Sequence, residues 1–245
     1  MKDVLISIER RSRELDGAPL FRFVSDSRLD PRRRLGYAPC LAHFVMTFAD
    51  LYELVFRDEP AQDRFQQIVN AHTYEDGGHW KWFLADLPKL GCDGALPFSQ
   101  ALRLIWGPHN VNLRRLSYHI CRLALGASSL HKLVLVHCIE SAGKVSLRHV
   151  ARAAQELTAR TGKPLTYFGA HHFETESQHT LEQDHVSALL ADVALSPELS
   201  SELSSLVAQT FDLFTGFAED LLAFALGTGD APSGDPAAQA TQVLP

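Results

Sequence analysis

Residues 167–185, YFGAHHFETESQHTLEQDH, place four histidines and four carboxylates within nineteen positions. On a helix each residue turns by about 100°, so positions i, i+4 and i+7 share a narrow face. Counted from His172, that rule selects Glu176 and His179 within an arc of about 60°, and Gln183 continues it. His171, Glu174 and His185 point elsewhere. An aligned set of imidazoles and a carboxylate is a donor set for a transition metal. The same triplet also arises on an ordinary polar helix face, so other segments must supply partners.

Two segments can do so. In NAHTYEDGGHWKWFLADL, residues 70–87, His72, Glu75, Asp76 and His79 fall within about 100° of one another on a helix. Glu75 and His79 sit four apart, and Trp80, Trp82, Phe83, Leu84 and Leu87 carry the segment into a core. Gly77 and Gly78 cost such a helix roughly 1 kcal/mol each relative to alanine. Either the helix bends there, or the missing side chains leave room for a ligand or a neighbouring backbone. In LVLVHCIESAGKV, residues 133–145, Glu140 interrupts an apolar helix and cannot be buried charged without a partner. Lys144, four residues on, offers a local ion pair worth about 0.3–0.5 kcal/mol, and a metal ion offers another. His137, one turn earlier, reads as a core residue or one packed beside a ligand.

Glu75, His79, Glu140, His172, Glu176 and His179 make three carboxylates and three histidines, an inventory for two metal ions drawn inward from facing helices. Carboxylates can bridge two ions, while neutral histidines hold the pair and leave positions open for dioxygen. Two Fe ions suit such a set, as do Mn or a mixed Fe/Mn pair. A closed structural zinc site would draw on cysteine pairs. Cys40, Cys92, Cys121 and Cys138 are widely spaced with no CxxC, and read as reduced thiols of a cytoplasmic protein.

The elements that must position these residues are helical. Apolar residues recur at helical spacing in Leu41, Phe44, Val45, Phe48, Leu51 and Val55, and again in Leu203, Leu206, Leu213, Phe217 and Phe224. Glycine and proline clusters divide the chain into about seven helices, roughly 38–57, 60–88, 97–125, 128–160, 166–192 and 196–227 plus a short one at the start. The expectation is an all-α protein with a single helical domain over 1–227 and a disordered tail over 228–245, which is rich in glycine, proline and alanine.

Composition removes several function classes. With 46% hydrophobic and 21% charged residues, the 245-residue chain is ordinary for a globular protein. Its net charge of −6 and single compact basic run, PRRRLGY at 31–37, argue against a nucleic-acid partner. Arg32, Arg33 and Arg34 read as a solvated helix start after Asp30 and Pro31. No membrane partner is expected, and a homodimer is allowed.

With its helix order, the stretch YFGAHHFETESQH resembles the third core helix of the haem-oxygenase-like diiron oxidases and oxygenases, which include the CADD-like proteins. That helix carries an aromatic pair followed by a His-x3-acid-x2-His triplet, matched here by His172, Glu176 and His179. Glu140 falls at the family's lone carboxylate on the preceding core helix, and His79 at the histidine of the first. The resemblance spans about residues 35–226 and implies a seven-helix haem-oxygenase-like bundle holding two iron ions. It further implies O2-dependent oxidation of a small amine, amino acid or fatty acid. Tyr74, Trp80, Trp82, Phe168 and Phe173 are the candidates to line the substrate site. The chain departs from the pattern at one point. The family's first carboxylate lies seven residues before the first histidine, where this chain has His72, so Glu75 or His72 itself is the expected ligand.

Other activities share the architecture, and fold alone does not fix function. A thiaminase-like enzyme would need a cysteine nucleophile, for which Cys138 beside His137 is the candidate. A haem enzyme would need an axial ligand, for which His43 is available. A non-catalytic metal-binding or partner-binding protein is the third alternative.

Overall fold

The computed structural model describes residues 1–107, 110–176, 178–179 and 184–227, without the side chains of residues 184, 185, 187 and 188. In chain order the helices are α1 (Lys2–Asp16), α2 (Pro19–Ser25), α3 (Pro31–Arg34), α4 (Ala42–Leu51), α5 (Arg64–Asp76) and α6 (Trp80–Leu90). They continue with α7 (Phe98–Trp106), α8 (Val111–Ala124), α9 (Ser129–Thr161), α10 (Ala170–Glu176), α11 (Asp184–Ala191) and α12 (Pro197–Gly227). A 3-10 turn at Ala38–Leu41 leads into α4, and a π-helical turn at Tyr52–Phe56 follows it. No strand occurs among the described residues, as the helical spacing predicts.

Helix α9 is the axis of the molecule. Its first half is apolar on every side, with Leu133, Val134, Leu135, Val136, Cys138 and Ile139 all buried, which is the signature of a helix surrounded by others. Helices α1, α2, α3, α5, α8, α10 and α12 all pack against it. Ser128 caps its start by accepting the His131 N–H, and Gly162 ends it in the left-handed conformation at φ 69°. Near the start of α9, the buried Lys132 donates from Nζ to the Phe56 carbonyl at 3.2 Å, serving an orphan acceptor at the end of the π turn.

The differences from the sequence reading lie at the breaks. The segment expected as one helix over 60–88 divides at Gly77–Gly78 into α5 and α6, so the glycine pair marks a bend. The segment expected over 97–125 divides into α7 and α8. Over 166–192 the described helices are only α10 and α11. The tail 228–245 lies outside the described residues. Residues Pro31–Phe56 are long and apolar enough to cross a membrane by length and composition, but here they are broken into α3, the 3-10 turn, α4 and the π turn.

Arg34 corrects the solvated reading of the basic run. It is fully buried, donates to the Val24 carbonyl at 3.1 Å and pairs with Glu156 of α9, tying α2 and α3 to the central helix. Its neighbour Arg32 donates to the Leu90 carbonyl at 2.9 Å. Removing a buried cation strands the carbonyl and the carboxylate together. Arg34→Ala is expected to lower unfolding free energy by about 2–3 kcal/mol, read as a shifted urea midpoint with an unchanged slope.

Candidate metal centre

Helices α5 and α10 both lie against α9, and their ends carry the polar cluster inward. Asp76 and His72 come from the last turn of α5, His79 from the bend after it, Glu140 from α9, His172 and Glu176 from α10, and His179 from just past its end. These seven side chains converge, none with more than 12% of its surface exposed.

At one end of the cluster, His72 Nε2 lies 3.2 Å from Glu140 Oε1 and 3.3 Å from Asp76 Oδ2. At the other, Glu176 Oε1 is 2.8 Å from His172 Nε2 and 3.3 Å from His79 Nδ1. His179 Nδ1 stands between, 3.0 Å from Glu176 Oε2 and 3.2 Å from Asp76 Oδ1. Two overlapping donor groups result, Asp76–His79–Glu176–His179 and His72–Glu140–His179.

Hydrogen bonds outside the cluster orient its ligands. His172 Nδ1 lies 2.8 Å from the Tyr167 carbonyl, which can only accept. Nδ1 therefore carries the proton, and the Nε2 lone pair faces the cluster, as a metal-binding histidine requires. That Nε2 sits 3.1 Å from His79 Nδ1. Asp76 Oδ1, Glu176 Oε2 and both ring nitrogens of His179 are buried with no hydrogen-bond partner. Native proteins rarely leave such atoms unsatisfied. Two donors each about 2.1 Å from one ion sit about 3.0–3.4 Å apart at octahedral or tetrahedral angles, the range of spacings found here. The residues fit a cation.

Three further residues hold the cluster in place. Tyr52, buried in the π turn, donates to Asp76 Oδ2 at 3.0 Å and lies 3.1 Å from His72 Nε2. Asp86 of α6, wholly buried, accepts the backbone N–H groups of Thr166 at 2.8 Å and Phe168 at 3.2 Å, pinning the loop that starts α10. Within that loop, a Cβ on Gly169 would stand 2.0 Å from the Leu165 carbonyl oxygen, so only glycine fits. Trp82 stacks on His79 with ring centroids 4.3 Å apart.

Without a cation the cluster is electrostatically strained. Burial, reinforced by Asp76, pushes the Glu140 carboxyl up to about 8. Burial pushes His79 down to about 4. For His72, burial opposes protonation but the Glu140 and Asp76 carboxylates outweigh it and raise the imidazole well above its ordinary value. Burial likewise opposes ionisation of Glu176, yet hydrogen bonds from His172 and His179 drive its carboxyl far below the usual range. Burial, then Asp76, raises the Tyr52 phenol, which stays a donor.

Of the residues expected from sequence, His72, His79, Glu140, His172, Glu176 and His179 meet. Glu75 does not join them: its Oε2 faces the Nδ1 edge of His72 at 3.8 Å, on the side away from the cluster. Asp76 takes the place expected for Glu75, because α5 stops at Asp76 and the bend resets the direction of His79. The missed signal was a repeated spacing, since His72-x3-Asp76-x2-His79 matches His172-x3-Glu176-x2-His179. In both triplets the last histidine lies beyond its helix, so a single helical face does not describe either set. His171 and Glu174 are exposed, as the face argument requires. Gln183 and the His185 side chain lie outside the described residues.

Phe168 and Trp80 border a cavity of about 170 Å³ that reaches Asp76, His79, Glu140, His172 and Glu176. Tyr74 and Trp82 do not border it. Tyr74 is exposed, with its hydroxyl on Glu59 at 2.8 Å and Arg57 over its ring, and Trp82 lies behind His79. The half-exposed Phe173 is also off the cavity. Cys138 is fully buried, and burial pushes its thiol far up, the opposite of what a nucleophile needs. His43 has Ser117 Oγ at 3.4 Å from Nδ1 and Tyr118 Oη at 3.4 Å from Nε2, which leaves neither nitrogen open as an axial ligand.

A carboxyl raised by folding stabilises below its unfolded value near 4.5 and loses that contribution as pH rises through about 8. Metal-free protein is therefore expected to fall in thermal midpoint between pH 5 and 8, and Glu140→Gln to flatten that fall. An unchanged slope in the variant would contradict the assignment. Gly169→Ala is expected to destabilise the protein by more than about 1 kcal/mol and to weaken metal uptake, measured by denaturation and by metal analysis. A scan against protein-family models and a search of curated proteins find no match to this chain.

Proposed function

We propose that this chain is a non-haem diiron oxidase or oxygenase built on a seven-helix, haem-oxygenase-like bundle. It would activate O2 to oxidise a small amine, amino acid or fatty-acid-like substrate. One observation carries the reading: seven buried ligand-type side chains from three helices converge, and four of their polar atoms have no hydrogen-bond partner. His72, Asp76 and Glu140 would serve one ion, His79, His172 and Glu176 the other, with His179 between them. Asp76 and Glu176 are placed to bridge. Bound iron would supply the electrons that O2 reduction requires.

The chain's own residues contribute positioning and protons. The Tyr167 carbonyl holds the His172 proton on Nδ1, so Nε2 remains a ligand at neutral pH. Tyr52 holds a proton at Asp76 Oδ2, where it can follow a change in the carboxylate's charge. Phe48, Ile139 and Phe168 line the cavity beside the cluster and exclude water from it.

Anaerobic Fe(II) loading followed by metal analysis tests the reading. About two irons per chain are expected, with O2 consumed on exposure to air. Asp76→Ala, His172→Ala and His179→Ala are each expected to lose at least one iron, while Glu75→Ala and His171→Ala keep both. Equal losses across all five variants would overturn the ligand assignment. Full loading without O2 uptake would leave a metal-binding protein that is not an oxidase.

A further inference from the structure

The cavity beside the cluster is a channel rather than a bowl. Its α9 wall runs through Glu140, Ala142, Gly143, Ser146, Leu147 and Val150, ten residues apart end to end, or about 15 Å along the helix. Phe44, Phe48, Phe214, Phe217 and Leu221 close the opposite side. An apolar cavity of roughly 150 Å³ takes up a benzene ring. The 170 Å³ here is drawn out over that greater length, which suits an extended chain better than a ring. Beyond the cluster the lining carries no charge, and its polar side chains are Ser146 and the phenols of Tyr37 and Tyr167.

The far end gives a route in. Leu15, Leu20 and Ala218 border this channel and also a second cavity of about 290 Å³ between α1 and α12, which Arg11, Glu14, Asp212 and Glu219 rim.

Gly143 stands at the middle of the α9 wall. Glycine weakens a helix interior, so its presence within a 33-residue helix calls for a packing reason. None exists, because a Cβ built there meets nothing within 4 Å. The absent side chain opens onto free space at the level of the channel.

Charge selects the head group. On the dinuclear reading above, two divalent ions facing Asp76, Glu140 and Glu176 leave one positive charge over, which a monoanion cancels. An ammonium group farther along the channel would be desolvated with no counter-charge.

We propose that the channel binds an unbranched aliphatic monocarboxylate of about eight to twelve carbons, its carboxylate at the cluster and its tail along α9, with Gly143 keeping the path open. The inference rests on the dinuclear reading for the head group alone. The tail site stands on the apolar lining.

Calorimetric titration of the full chain tests it, metal-free and loaded with redox-inert Zn(II), using decanoate, decan-1-ol, decylamine and hexadecanoate as probes. Decanoate is expected to bind the loaded protein at least tenfold more tightly than decylamine or hexadecanoate, and to lose that affinity on metal removal. Decan-1-ol is expected to bind with and without metal. Gly143→Leu is expected to weaken decanoate and decan-1-ol at least tenfold while metal content is unchanged and the thermal midpoint is no lower. Should that variant fold poorly, Ser146→Leu blocks the same path from one turn away. Absence of decan-1-ol binding, or binding indifferent to both substitutions, overturns the channel. Decan-1-ol binding that responds to the substitutions, in a chain that takes up no metal, overturns the carboxylate head and the dinuclear reading while the tail site stands.

Discussion

Three carboxylates and four imidazoles share one buried volume in this protein, and that is the constraint on which the rest of the structure turns. Asp76 and Glu140 both lie about one hydrogen-bond length from His72, and Asp76 and Glu176 both lie close to His179. Like charges brought this near in a poorly solvated site repel strongly unless protons or cations intervene. The opposed shifts of Glu140, upward, and Glu176, downward, are the protein's response when protons alone must do the balancing. A pair of divalent cations would relieve the same repulsion and satisfy the unpartnered atoms together.

Holding such a cluster takes a rigid frame. The long central α9 supplies one carboxylate from an otherwise apolar stretch, and helices packed around it bring the other ligands to the same level. Each ligand-bearing helix stops at the cluster instead of passing it. The π turn at Tyr52–Phe56 aims Tyr52 at Asp76, and the buried Asp86 anchors the loop before α10. Irregular backbone of this kind commonly marks functional sites in helical proteins. The apolar channel along α9 opens onto the cluster from the other side, so the polar and apolar halves of the site share one wall.

Much of this was legible from residue order alone. Helical spacing of apolar residues determined the all-helical class, because one buried face per helix leaves a periodic trace. The bounds of α9 and α12 were readable within a residue or so for the same reason. The ligand types were readable too, since an acid in an apolar helix, as at Glu140, demands a partner.

What only the tertiary structure decided is where helices stop and which neighbour turns inward. Adjacent carboxylates at Glu75 and Asp76 are equivalent on an unbroken helix. They became unlike because the chain bends at Gly77–Gly78, which sends Asp76 to the cluster and leaves Glu75 at the rim of His72. Tyr52 and Asp86 left no trace in spacing, since each meets its partner across a distance of twenty residues or more in the chain. Periodicity reports the environment of a residue within its own helix. The contacts that build a site join helices whose relative placement comes from packing, which no single segment encodes.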